Sequence, residues 1–338
     1  MKTIICQTPG ELLAAEQKQP KFAPGEALIK MERLGICGTD LHAFGGRQPF
    51  FSYPRVLGHE LAGQIIEIGE NTYDLHPGDM VAILPYQECG ICIACQNGKP
   101  NCCTDMNVLG VHSDGGMREY ISVPADHIFK NANLTADQLA ITECFAIGAH
   151  AVRRAGNIAG QKVLVVGAGP IGMGIMQCAS VAGGSVIALD ISAERLAFVR
   201  EHLAIEHTLQ AGSLEVKNKL AELTDGNYPT VIFDATGNRQ SMMDNFLYLA
   251  HGGRYVLVGL VTADICFSDP EFHKRETTLL SSRNALREDF LWVMECLEHN
   301  RLIVEPMITH RCKFEQIIEK FQHWISPEAR VIKAMVEF

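Results

Sequence analysis

Residues 163–172 read Val163-Leu164-Val165-Val166-Gly167-Ala168-Gly169-Pro170-Ile171-Gly172. Four apolar, mostly β-branched residues predict a buried strand, and Gly-x-Gly-x-x-Gly then opens a helix at Pro170. Gly167 allows the tight turn, Gly169 lets backbone approach a pyrophosphate, and Gly172 lets helix and strand pack closely. The helix N-terminus presents its positive dipole end to phosphate. The next apolar run ends at Asp190, 18 residues beyond Gly172. A carboxylate there binds adenosine ribose hydroxyls and repels an added phosphate. Gly167, Gly169, Pro170, Ile171, Gly172 and Asp190 therefore predict an NAD site, and nearby Arg195 leaves some NADP use open.

Outward from this turn, apolar strands alternate with helical stretches. The strands are Val163–Val166, Val186–Leu189, Val231–Asp234, Tyr255–Val258 and Thr278–Leu280. That alternation predicts βαβ units and a doubly wound parallel sheet. Upstream, Ala27–Met31, Gln64–Ile68 and Met80–Leu84 are short strands between Pro-Gly and Gly-Asp turns. They predict a mostly antiparallel, barrel-like β domain. Leu286, Phe290, Val293, Met294 and Leu297 recur at helical spacing, and Val331–Val336 reads as a last strand. The fold class is α/β, with a β-rich domain over 1–150 and a dinucleotide-binding domain over 151–284. Segment 285–338 is expected to return to the first domain.

A chain of 338 residues suits about two domains. Its formal net charge of -10, with no basic run, argues against nucleic acid as a partner. The apolar run after Met1 is too short for a signal peptide. Glycines and Pro170 break the apolar stretch Val163–Leu189, so neither export nor a membrane partner is expected and the cytoplasm is the expected location. Twelve cysteines in such a setting point to thiolate metal ligation rather than disulfides.

Cys89, Cys92, Cys95 and Cys103 form C-x2-C-x2-C-x7-C on a glycine-containing loop. Four thiolates suit a closed, structural zinc site. Cys102 could replace Cys103, and an iron–sulfur cluster is the rival occupant. Two further segments are dispersed: Gly35-Ile36-Cys37-Gly38-Thr39-Asp40 and Gly58-His59-Glu60-Leu61-Ala62-Gly63. Each alone reads as readily as a buried cysteine or a structural histidine.

Taken in order, these segments, the four-cysteine loop and the Gly167–Gly172 turn resemble the zinc-containing medium-chain dehydrogenase/reductase family over essentially the whole chain. The resemblance implies a GroES-like catalytic domain, a Rossmann domain, an active site in the cleft between them and a C-terminal segment that rejoins the catalytic domain. It implies two zincs per subunit, NAD, and a homo-oligomer. Cys37 and His59 become catalytic zinc ligands, Glu60 a residue able to approach the metal, and Asp40 a partner orienting His59. The third ligand corresponds to Glu143, but Cys144 replaces the proline that follows it in the polyol branch and is a possible rival ligand. Thr39 becomes the first proton acceptor and His42 its route to solvent. Val258 and Ser282 fall beside the cofactor.

Within the family, the stretches Gln48–Glu60, Leu109–Gly116, Phe267–Lys274 and Ser282–Ala285 are similar to bacterial sugar-acid dehydrogenases of the L-galactonate 5-dehydrogenase group. The implied substrate is a small polyhydroxylated sugar acid, oxidised at a secondary hydroxyl. Arg47, Arg118, Arg283 and His112 are candidates for its carboxylate. A polyol or L-threonine dehydrogenase and a non-catalytic NAD-binding protein are the competing readings.

Overall fold

A computed structural model describes residues 1–49, 51–213 and 215–338; Phe50, within the Gln48–Glu60 stretch, lies outside the described residues. The chain divides into two compact units. One comprises Met1–Cys144, Ala285–Asn300 and Val304–Phe338, and the other Phe145–Asn284 and Arg301–Ile303.

In the first unit, the long strand Glu26–Ile36 organises a seven-stranded sheet. It pairs antiparallel with Glu60–Ile68, Tyr120–Pro124 and Lys333–Glu337. With partners on both edges and packing on both faces, Ala27–Ile29 and Leu34–Ile36 are buried without the alternation of a half-exposed strand. Two register shifts against Glu60–Ile68, at Leu28/Ile29 and Met31/Arg33, bend this pair. The core gathers Ile29, Met31, Leu34, Leu57, Leu61 and Ile65 with Phe321 and Trp324. The final strand sets Ala334 opposite Ile36, so the chain's last residues lie beside the strand that delivers Cys37.

The second unit is a six-stranded parallel sheet. Its order is His207–Gln210, Ser185–Asp190, Lys162–Val166, Val231–Asp234, Arg254–Leu257 and Thr278–Ser281. The order reverses between the third and fourth of these, the topological switch of a doubly wound sheet. The strand His207–Gln210 has no counterpart among the sequence expectations, because only Leu209 of its four residues is buried at the sheet edge. The stretch Val163–Leu189 resolves into a strand, a turn, the helix Pro170–Val181 and a second strand. No helix among the described residues is long and apolar enough to cross a membrane.

Candidate metal centres and dinucleotide turn

Cys37 follows the strand Glu26–Ile36 and precedes the short helix Gly38–Phe44. Asp40, on that helix, is buried and joins two loops. Its Oδ2 accepts from the Cys37 amide at 2.9 Å and its Oδ1 from the Gly58 amide at 3.0 Å. Gly58 has φ +97°, a conformation that favours glycine, and this backbone leads directly into His59. His59 Nδ1 lies 3.7 Å from Asp40 Oδ1 and is buried with no hydrogen-bond partner. Asp40 thus holds His59 through the preceding amide and through charge, not through the ring hydrogen bond that an orienting partner would make. Burial pushes the Asp40 carboxyl up, while His59 and the two amides oppose that shift.

Around His59 stand Cys37, Glu143 and Asp40. Glu143, on the helix Ala136–Ala155, is 4% exposed and accepts from the Tyr86 hydroxyl. Glu60 is fully buried; Lys333 Nζ donates to its Oε1, and its Oε2 has no partner. Burial and the neighbouring carboxylates push the Cys144 thiol well up, with Lys333 opposing. Burying three carboxylates and a thiol beside one histidine and one lysine is costly without further positive charge. The N, S and O donors and the unpartnered Glu60 oxygen fit a zinc with an open position. Cys37, His59 and Glu143 are less tightly gathered than the second set of ligands.

That second set is compact. The ligand sulfurs of Cys89, Cys92, Cys95 and Cys103 all lie within 4.8 Å of one another. Sγ–Sγ distances are 3.4 Å for Cys89–Cys103 and 3.5 Å for Cys92–Cys95. Backbone amides of Cys89 and Asp105 point at Cys103 Sγ, each at 3.3 Å, as donors to a thiolate do. Cys102 is exposed and stands outside this group. The lobe has little apolar support: the helix Ile93–Gln96 buries no residue, and Ile91 and Ile93 are exposed. A closed tetrahedral zinc fits four such thiolates.

In the second unit Gly167 has φ +98°, and a Cβ on Gly172 would meet the Gly167 carbonyl at 1.7 Å, so only glycine fits there. Asp190 Oδ2 accepts from the Ala168 amide at 2.5 Å and Oδ1 from Ser192 at 2.7 Å. The Arg195 guanidinium comes to 3.5 Å from where a Gly169 Cβ would sit. Pro170 and Ile171 open the helix. The Val258 amide continues from its strand to the Asp234 carbonyl. Ser282 Oγ is buried with no partner, a free polar atom at the end of the last strand.

Thr39 is half-buried and His42 exposed on the helix Gly38–Phe44. Arg47, His112 and Arg283 are exposed; His112 Nδ1 is taken by the Val108 amide at 2.9 Å. Arg118 is half-buried, donates to the Asp114 carbonyl at 3.2 Å and leaves Nε without a partner. Two residues of the first site were missed in sequence. Lys333 signals itself only as a charge inside the apolar run Val331–Val336, and Tyr86 only by lying three residues before Cys89.

The chain matches the model of the alcohol dehydrogenase GroES-like domain over residues 23–133 and that of the zinc-binding dehydrogenase over residues 170–299. It is 43% identical to L-galactonate-5-dehydrogenase of Escherichia coli (strain K12), covering 100% of this chain and 99% of that protein. A crystal structure described as a short chain alcohol dehydrogenase of E. coli CFT073, complexed with cofactor NADH, superposes with a TM-score of 0.93. Its identity is 31%, covering 100% of this chain and 99% of that one. L-idonate 5-dehydrogenase of E. coli K-12 superposes with a TM-score of 0.90 at 25% identity, covering 100% and 98%. With both domain models matched in order and a relative aligned from end to end, the chain belongs to the zinc-binding alcohol dehydrogenase family and is an oxidoreductase of alcohols.

Proposed function

We propose that the protein oxidises a secondary hydroxyl of a sugar acid of the L-galactonate kind to a ketone, reducing NAD and releasing one proton. The 43% identity to L-galactonate-5-dehydrogenase along the whole chain carries this reading. The structural likeness to L-idonate 5-dehydrogenase agrees with a 5-hydroxyl of a six-carbon acid. When bound, zinc polarises a hydroxyl oxygen and the nicotinamide accepts hydride. Cys37, His59 and Glu143 hold that metal, and Glu60 stands by it as an exchangeable carboxylate. Thr39 takes the substrate proton, and His42, exposed on the same helix, passes it to solvent. Asp40 keeps the two ligand loops together through its two amide contacts. Cys89, Cys92, Cys95 and Cys103 hold a second zinc that staples their lobe. Gly167, Gly169, Pro170, Ile171 and Gly172 cradle the pyrophosphate, and Asp190 receives the ribose. Arg195, Val258 and Ser282 complete the NAD site.

The substrate is tested by NADH formation over a panel of L-galactonate, L-idonate, D-sorbitol and L-threonine. Turnover confined to one sugar acid is expected. Turnover on sorbitol or threonine with none on either acid would overturn the sugar-acid reading and leave the dehydrogenase intact.

The cofactor assignment makes its own prediction. Asp190→Ala removes a charge-assisted contact worth about 1.5–3 kcal/mol. The KM for NAD should rise about tenfold to a hundredfold, while NADP, no longer repelled, improves relative to it. Unchanged KM values for both would remove Asp190 from the ribose site.

A further inference from the structure

Tyr86 stands outside the ligand set, yet it is 5% exposed and its hydroxyl donates to Glu143 Oε1, 57 residues away in sequence. Its backbone is held from several directions. Tyr86 pairs with Val108 in a two-stranded ladder, and the neighbouring Pro85 carbonyl accepts from Leu109 at 3.0 Å. His127 Nε2 lies 3.0 Å from the Tyr86 carbonyl, and its Nδ1 is 2.6 Å from Asp126 Oδ1. The phenol oxygen is therefore carried to one place by a fixed scaffold, the arrangement that makes a supporting contact effective.

A carboxylate turns easily about its last torsion, so a glutamate on a helix is not by itself an oriented ligand. One buried hydrogen bond removes that freedom. It takes one lone pair of Oε1 and fixes the plane in which the carboxylate can offer its remaining lone pairs to a metal. Lys333 holds Glu60 by the same device from the other side of the sequence.

We infer that Tyr86 is a positioning residue for the third zinc ligand, fixing Glu143 through its hydroxyl without itself touching metal or substrate. This rests on the assignment of Cys37, His59 and Glu143 as ligands. Supporting partners of metal ligands typically change affinity by about 10- to 100-fold when removed. Tyr86→Phe deletes one oxygen and keeps the buried ring.

The test is the rate of zinc release to a chelating dye from the zinc-loaded full chain. The four-thiolate lobe serves as an internal reference within each molecule. In Tyr86→Phe, zinc from the Glu143 site should leave about 10 to 100 times faster, with release from the lobe unchanged. Glu143→Ala is run beside it and should lose that zinc altogether. If Glu143→Ala keeps both zincs as tightly as the parent, the ligand assignment itself fails. If Glu143→Ala loses one zinc but Tyr86→Phe releases it at the parent rate, the positioning role alone is overturned. Faster release from both sites in Tyr86→Phe would mean a loosened fold and would equally overturn that role.

Discussion

Replacing Cys37 by alanine is expected to cut kcat/KM by about a thousandfold or more while the protein stays folded. The magnitude follows from what a metal contributes to charge development on oxygen, several kcal/mol, of which about 4 kcal/mol already corresponds to a factor of about a thousand. The folded state should survive because Cys37 meets its structural partners through backbone. Its amide donates to Asp40, and the helix Gly38–Phe44 begins after it. Removing the sulfur leaves those contacts in place. The Gly167–Gly172 turn belongs to the other compact unit, so NADH binding should persist. The informative measurement is therefore a triple one: metal content, NADH fluorescence titration and turnover. Loss of one zinc and of turnover, with NADH still bound, is the expected pattern. Near-normal turnover by the alanine variant would take Cys37 out of the ligand set.

Parts of this molecule are written in its sequence, and others depend on contacts that no local pattern records. The turn Gly167–Gly172 is legible because its glycines answer a local demand: a left-handed φ at Gly167 and a carbonyl too close for any Cβ at Gly172. The four cysteines are legible because their spacing is short enough to close one lobe. The first metal site is a different case. Cys37, His59 and Glu143 come from three separate segments, and only the family resemblance joins them as one ligand set. Lys333 was illegible because its partner Glu60 lies 273 residues earlier and the two meet only through the register of the last strand against Glu26–Ile36. A buried lysine in an apolar strand contradicts the pattern around it, and such local conflicts tend to mark sites. The edge strand His207–Gln210 failed for the opposite reason, having too little burial to leave a pattern.

The second large effect concerns the lobe between Cys89 and Cys103. Cys103→Ala should release its zinc and open the lobe while the sheets of both units remain protected. Cys103 is the natural target because it is 3% exposed, touches the sulfurs of Cys89 and Cys92, and receives the amides of Cys89 and Asp105. Backbone turns add to the lobe's order: Gln96 to Cys92 at 2.9 Å, Lys99 to Ala94 at 2.9 Å and Cys103 to Pro100 at 2.9 Å. Such short helical turns are not stable alone, and Ile93–Gln96 has no buried side chain to anchor it. A structural zinc supplies folding free energy outright to a segment of this kind. Amide hydrogen exchange over Gln96–Cys103 should accelerate by at least about a hundredfold, as a separate unit opens independently of the rest. The strands Lys162–Val166 and Glu26–Ile36 should exchange as before. If the lobe amides stay protected after zinc is lost, the four thiolates are not what holds the segment, and Ile91 and Ile93 must find apolar cover that the single chain does not provide.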